Sequence, residues 1–439
     1  MIVRKFYQAK IEQGFKHVPI VVLIGARQVG KTSLMKNFAT GKATVQLNGQ
    51  DPEIAELFQK RSTIEQYLSI HLNKKLDGFL LIDEFQFING ISTMLKLLTD
   101  KYNSLKVLCS GSSSLDILQK VEESLAGRVR TIEVFSLSFS EYLLFKHKEL
   151  AKLYQSFSVN TESSALTAPI ESALSEYLVY GGMPRASLVN NKDEKIEILH
   201  DIYQTYLLKD VRNYIKNEHV IGFNKMLRIL AAQIGSLVNI NELSRESGLP
   251  YKSSEACLHL LEQMYIIKLV EPYHTNKRKV INKMKKVYFC DLGLRNMIAN
   301  NFNDINSRTD NGAIFENYVM LELWRNKGTG GIIQFFRTFD GTEVDFVLTQ
   351  LSDKKAVECK FKMLDKPVNL IGFNNFCSDE GITKKYIINK NLNCSHQGTK
   401  FIQGFLCTTL KTQLLAAMAR ECGADIENFE KTGAFQIVA

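Results

Sequence analysis

The sequence predicts an α/β protein in three segments: a parallel sheet covered by helices over residues 1–155, a mainly helical middle over 156–300, and a mixed α/β segment over 301–439. Three observations carry this. Up to about Leu144, short apolar runs alternate with amphipathic stretches. A glycine-rich octapeptide, Gly25–Thr32 (GARQVGKT), joins one apolar run to a helical one. From Ile170 to about Val270 the apolar spacing turns helical, with Cys257, Leu260, Leu261 and Met264 at i, i+3, i+4 and i+7.

The first segment offers strands at Pro19–Ile24, Ala43–Leu47, Phe79–Ile82, Lys106–Cys109 and Arg130–Val134. Polar stretches at Ser156–Ala168 and Asn301–Gly312 mark the segment boundaries. The last segment resumes strands at Ile332–Arg337, Val344–Leu348, Ala356–Glu358 and Lys385–Ile388.

The octapeptide is a complete G-x-x-x-x-G-K-[ST] pattern, set where its chemistry requires, between a strand and a helix. Gly25 and Gly30 let the backbone curl, so that the N–H groups of Gly25, Ala26, Arg27, Gln28, Val29 and Gly30 can face phosphate oxygens. The helix start adds a positive dipole end. Lys31 reaches the β- and γ-phosphates, Thr32 supplies a hydroxyl to Mg²⁺, and Ser33 is a further phosphate contact. FLLIDEF (Phe79–Phe85) ends an apolar strand in two acids. Asp83 is expected to hold the Mg²⁺ and Glu84 to activate water. After the next strand comes SGSSS, in which Ser112, or alternatively Ser110, is expected to sense the terminal phosphate. In SLAGRVR, Arg128 or Arg130 could stabilise the transition state, in cis or from another copy.

The middle segment reads as two helices about a Gly-Leu-Pro turn, then a strand, over Val238–Val270. This predicts a winged helix offering Lys252, Ser253 and Ser254 to duplex nucleic acid. The basic run 276–286 holds six Lys or Arg and no acid, and is expected to form a phosphate-contacting wing. In the last segment Glu316 lies on a helix, and Asp345 precedes Glu358-x-Lys360 by 12 intervening residues. This is the PD-(D/E)XK arrangement of a restriction-endonuclease-like domain. Glu316, Asp345 and Glu358 are expected to converge on a second Mg²⁺ or Mn²⁺, with Lys360 catalytic.

Composition narrows the classes. With 45% hydrophobic and 23% charged residues, the chain has the balance of a folded protein rather than a disordered one. Its net charge of +9 permits nucleic-acid binding without requiring it. No apolar run reaches the ~18 residues that cross a bilayer, and the charged start leaves no signal-peptide core. A cytoplasmic protein with no membrane partner is expected. The eight cysteines include no C-x-x-C pair, so buried, reduced thiols are expected rather than a zinc site.

GARQVGKTSL, LLIDEFQ, SGSSS, LAGRV, SLSFSEYL and YGGMPR follow one another in an order that resembles prokaryotic AAA-superfamily ATPases bearing a C-terminal domain of unknown function. The likeness runs from about residue 1 to at least 362. It departs at VFSLSF (Val134–Phe139), where that family usually carries a proline, and it fades after about Leu410. The resemblance implies an AAA-type ATPase core, a helical lid with a winged helix, and a nuclease-like end. It also implies ATP as the nucleotide, since no residue here reads the base. The leading expectation is an ATP hydrolase coupled to nucleic-acid binding or remodelling, self-associating if Arg128 acts in trans. The alternatives are an ATP-gated DNA or RNA nuclease, and a nucleotide-switched scaffold that binds a protein partner.

Overall fold

The computed structural model describes residues 3–111, 125–156, 167–210, 214–273, 284–328 and 330–409. They fall into two compact units. The first runs to Ser136 and includes His259–Ile266; the second takes Leu137–Leu258 and the chain from Ile267 onward.

The first unit opens with helix α1 (Lys5–His17), which buries Tyr7 and Ile11. The sheet follows as β1 (Ile20–Ile24), β2 (Thr44–Asn48), β3 (Gly78–Asp83), β4 (Leu105–Gly111) and β5 (Val129–Glu133). All neighbouring strands pair in parallel, in the order β2-β3-β4-β1-β5. Every residue of β1 is buried, as a continuous apolar run flanked by strands and covered by helices should be. Helix α2 (Lys31–Ala39) leaves β1 through the glycine-rich loop. The C-terminal ends of β1, β3 and β4 therefore share one edge of the sheet, where ligands of open α/β sheets bind.

In the second unit, Ser138 caps the helix Phe139–Lys146 in a reciprocal capping box with Glu141, which explains the SLSFSEYL run. The helix Ala168–Tyr180 ends at Gly181, which has a φ of 71°. A Cβ on Gly181 would stand 2.3 Å from the Gly293 nitrogen, and one on Gly182 would stand 2.3 Å from the Leu137 carbonyl oxygen. The Asp291 carboxylate accepts from the Gly182 N–H (2.9 Å) and from the Leu294 N–H (3.1 Å). YGGMPR is thus a site of backbone-to-backbone approach.

The helices Val220–Ala232, Ile240–Ser247 and Tyr251–Gln263 come next, the last of them belonging to the first unit from His259 on. The Asn239 side chain caps the second helix, and Gly248, in the left-handed region, ends it. Strands β6 (Ile267–Pro272) and β7 (Lys286–Phe289) then form an antiparallel pair. After the helix Asn311–Asn326 come β8 (Ile332–Arg337), β9 (Glu343–Gln350), β10 (Asp353–Lys360), β11 (Lys384–Asn389), β12 (Cys394–His396) and β13 (Thr399–Gln403). β6 pairs with β8, giving one sheet in the order β12-β13-β11-β10-β9-β8-β6-β7. Residues on either side of 300 therefore share a sheet. β12 and β13 were not anticipated: they are short, and their polar sequence (CSH, TKFIQ) gives little alternation to read.

Among the described residues, no helix is long and apolar enough to cross a membrane. A Cβ at Gly293 would lie 2.1 Å from the Tyr180 carbonyl oxygen, so Gly293→Ala must displace backbone. It should lower unfolding free energy by about 1–3 kcal/mol, read from the midpoint of a urea titration.

Candidate nucleotide site and C-terminal ion cluster

The loop from β1 to α2 owes its path to contacts at each end. Gly25 has a φ of 153°, and a Cβ there would meet the Val134 carbonyl oxygen at 2.1 Å. The Val134 N–H donates back to the Ile24 carbonyl (2.7 Å), so the start of the loop is pressed against the exit of β5. At the other end Gly30 (φ 97°) caps α2, with nothing among the described residues within 4 Å of where a Cβ would sit. The first intrahelical bond of α2 runs from the Leu34 N–H to the Gly30 carbonyl (3.0 Å). The N–H groups of its first turn thus have no acceptor within the helix, the arrangement that receives an anion.

Lys31 is buried, and its ammonium donates to the carbonyls of Gly25 (2.9 Å) and Ala26 (2.8 Å). Burial is the largest influence on it and lowers its pKa to about 8; Glu84 and Asp83 pull upward, while Arg27 adds to the lowering. The Asp83 carboxylate takes two hydroxyls. Thr32 donates to one oxygen at 2.7 Å, and Ser110 donates to the other. The strand order makes this possible, because β4, which carries Ser110, lies between β1 and β3. Thr32 and Asp83 supply hard oxygen donors at hydrogen-bond distance from each other, a set that fits Mg²⁺.

Glu84 adopts a left-handed backbone (φ 49°), an unfavourable conformation for a residue with a Cβ, and its carboxylate accepts from the Gln86 amide at 2.5 Å. The other amide atom, Gln86 Oε1, is buried with no hydrogen-bond partner among the described residues. Gln86 was not anticipated as a site residue, although it ends the LLIDEFQ run that carries the resemblance. Ser112 lies outside the described residues, and its alternate, Ser110, is the hydroxyl found at Asp83.

Arg128 requires a correction. It precedes β5, and its carbonyl accepts from the N–H of Ile20 at the start of β1 (3.1 Å). At ~3.3 Å per strand residue, five residues place it about 16 Å from the loop, at the opposite end of the sheet. Its guanidinium also forks onto Asp100 (2.6 and 3.2 Å). A role at this chain's own phosphate loop is excluded.

The C-terminal carboxylates do approach one another, but with lysines among them. β9 and β10 are antiparallel, and Asp345 and Glu358 are both buried. The Cys359 N–H donates to Asp345 (2.7 Å), and the Asp345 N–H donates to Glu358 (3.4 Å). Lys360 pairs with Glu358 at 2.7 Å. Lys286, 2% exposed, stands between Glu316 (3.0 Å) and Glu343 (2.5 Å), and Tyr288 donates to Glu316 at 2.5 Å. Burial alone would lower the Lys286 pKa, but Glu316, Asp345 and Glu343 outweigh it and hold the group above its usual value. Burial, then Glu316 and Glu358, push the Asp345 carboxyl well above the usual carboxylate range, with Lys286 opposing.

Two expectations change here. Glu316, expected as a metal ligand with Asp345 and Glu358, has one carboxylate oxygen that accepts from both Lys286 and Tyr288. Among the described residues, no group of three or more His, Cys, Asp or Glu is set to hold a metal ion. Lys286 itself belongs to the run 276–286 expected to face phosphates, yet it is buried as a counter-ion, and Lys285 pairs with Glu271 (2.9 Å). Residues 276–283 lie outside the described residues. Ser254, expected at a nucleic-acid groove, is fully buried, whereas Lys252 is exposed.

Two outcomes follow. Lys286→Met leaves Glu316 and Glu343 without their buried cation and should cost about 3–5 kcal/mol of stability in denaturant unfolding. Because folding lowers the Lys31 pKa, its charge opposes folding fully below pH 8, and the penalty fades between 8 and its unfolded value near 10.5. Binding of a fluorescent triphosphate should correspondingly weaken about tenfold per pH unit above 8 in a titration from pH 7 to 10.

Residues 17–143 match the AAA domain family, 171–305 a domain of unknown function (DUF8612), and 311–406 another (DUF4143). An uncharacterized protein of Methanocaldococcus jannaschii is 27% identical over 342 residues, covering 75% of this chain and 72% of the relative. One from Haemophilus influenzae is 25% identical over 318 residues, covering 71% and 72%. Among solved structures, the Walker-type ATPase of Pyrococcus abyssi aligns with a TM-score of 0.46 at 16% identity, covering 68% of this chain and 96% of that one. Residues 17–143, which match the AAA domain family, thus hold the parallel sheet and the glycine-rich loop described above.

Proposed function

We propose that the chain binds ATP with Mg²⁺ at the Gly25–Ser33 loop and hydrolyses it, and that this cycle is coupled to nucleic-acid binding or remodelling by the second unit. The observation that carries the first part is the joining of Thr32, Asp83 and Ser110 at one sheet edge, beside the buried Lys31 ammonium. The loop amides and the start of α2 receive the phosphates. Lys31 exchanges its two carbonyl acceptors for phosphate oxygens, whose charge holds its proton more firmly. Thr32 and Asp83 hold the Mg²⁺, which when bound neutralises phosphate charge. Glu84 orients water and accepts its proton, and the Gln86 amide sets the position of the carboxylate.

Support for the nucleic-acid part is the sequence of helices Ile240–Ser247 and Tyr251–Gln263 followed by the β6–β7 pair, the topology of a winged helix, with Lys252 exposed at the start of the second helix. The order of the helix bearing Glu316, then β8, β9 and β10, supports a restriction-endonuclease-like fold for residues 301–409. Lys286 from β7 and Lys360 from β10, strands of the same sheet, neutralise the acids. Cleavage is a second reading, favoured only by the adjacency of Asp345, Glu358 and Lys360. Incubation of labelled DNA with the wild type and with Asp345→Ala decides it: cleavage by both, or by neither, ends that reading.

Lys31→Ala should abolish nucleotide binding. Glu84→Gln should bind ATP normally and hydrolyse it at least ~100-fold more slowly. Hydrolysis at the wild-type rate in Glu84→Gln would remove Glu84 from the mechanism. Duplex DNA should raise the wild-type ATPase rate severalfold in a steady-state phosphate-release assay, and an unchanged rate would separate the ATPase from nucleic acid.

A further inference from the structure

A buried arginine outside every sequence motif touches the phosphate loop. Arg4, just before α1, is 4% exposed. One guanidinium nitrogen donates to the carbonyls of Val29 (2.9 Å) and Phe135 (3.0 Å), and a second donates to the carbonyl of Ser136 (3.3 Å). Its Cζ lies 4.4 Å from the centre of the Tyr7 ring, and the Tyr7 hydroxyl accepts from the Phe135 N–H (3.0 Å). The three carbonyls come from two places. Val29 is in the glycine-rich loop, immediately before Gly30 and Lys31. Phe135 and Ser136 are the last residues of the first unit before the chain passes into the second.

We propose that Arg4 is a positioning residue that fixes the phosphate loop and links its state to the 135–136 connector. The proposal rests on the nucleotide-binding reading of that loop. A planar fork with five N–H donors can serve three carbonyls from separate segments at once; a lysine ammonium, a single point of charge, cannot span them. The Val29 carbonyl is held back by Arg4, which leaves the neighbouring N–H groups free to turn toward phosphate. Any shift of the loop on binding must either stretch the Arg4–Val29 bond or carry Arg4 with it, and Arg4 holds Phe135 and Ser136 by the same group. Tyr7 completes the path through its hydroxyl. The loop and the connector are therefore mechanically joined by one side chain, that of the residue preceding α1.

The test compares wild type with Arg4→Lys, which keeps charge and length, and with Arg4→Gln. The first readout is the affinity for a fluorescent non-hydrolysable ATP analogue. The second is hydrogen exchange of peptides covering 25–34 and 132–138, with and without the analogue. Melting temperatures of both variants are recorded, so that binding is compared well below unfolding. The wild type should bind and show analogue-dependent changes in both peptides. Arg4→Lys should bind at least tenfold more weakly and, at saturating analogue, protect 25–34 while leaving 132–138 unchanged. Equal affinity together with the same connector response in Arg4→Lys overturns the proposal, whatever the melting temperature. A wild type that binds no analogue overturns the nucleotide reading, and the link falls with it. Weaker binding with the connector response intact overturns the link and leaves Arg4 as a buttress of the loop alone.

Discussion

The Asp83 carboxylate is the point on which the first unit turns. It ends β3, and its two oxygens accept hydroxyls from Thr32 at the start of α2 and from Ser110 near the end of β4. This sharing requires three segments, far apart in sequence, to end at the same height on one sheet. The parallel pairing β3-β4-β1 meets that requirement. The burial of β1 and β4 makes the arrangement rigid, because a slip in register would drive buried apolar side chains out of the core and move the hydroxyls off the carboxylate. The phosphate loop itself is further constrained from outside: by the exit of β5 against Gly25, and by the Arg4 guanidinium at Val29.

The second unit uses buried charge in a different manner. In the first unit a lone buried ammonium, Lys31, faces carbonyl oxygens and sheds part of its affinity for the proton. In the second, Lys286 is sandwiched by carboxylates and keeps its proton more firmly than a free lysine would. The contrast follows from the partners. Dipoles compensate a buried charge weakly, whereas opposite charges at about 3 Å compensate it strongly. A lysine in the first situation is poised to take an anion. A lysine in the second already has its anions, Glu316 and Glu343.

The motifs legible in the sequence were those whose chemistry is local. Gly25–Ser33, Asp83–Glu84 and Glu358-x-Lys360 each lie within a few residues, on an element whose periodicity can be read directly. The strands that carry them form where expected, and Asp345 and Glu358 are brought together by the β9–β10 pairing their separation suggested. A role for Arg128 at its own loop failed because position along the chain says nothing about direction along a sheet: it enters β5 at the end remote from the loop. Lys286 failed because a basic run looks solvated until the fold shows which of its members meets buried acids. Arg4 gave no pattern at all, and Gln86 only its place at the end of LLIDEFQ.

Sequence alone determined the α/β class of the first segment, the loop and its two following acids, and the helical character of the middle. These follow from short-range periodicity and from residue types with narrow chemical uses. Tertiary structure alone decided which hydroxyl reaches Asp83, which end of the sheet holds Arg128, and which cation neutralises Glu316. It also decided that β6 and β7 extend the sheet begun beyond residue 300. Each of these depends on strand order and on long-range contact, which are set by the packing of whole elements; residue spacing along the chain does not encode them.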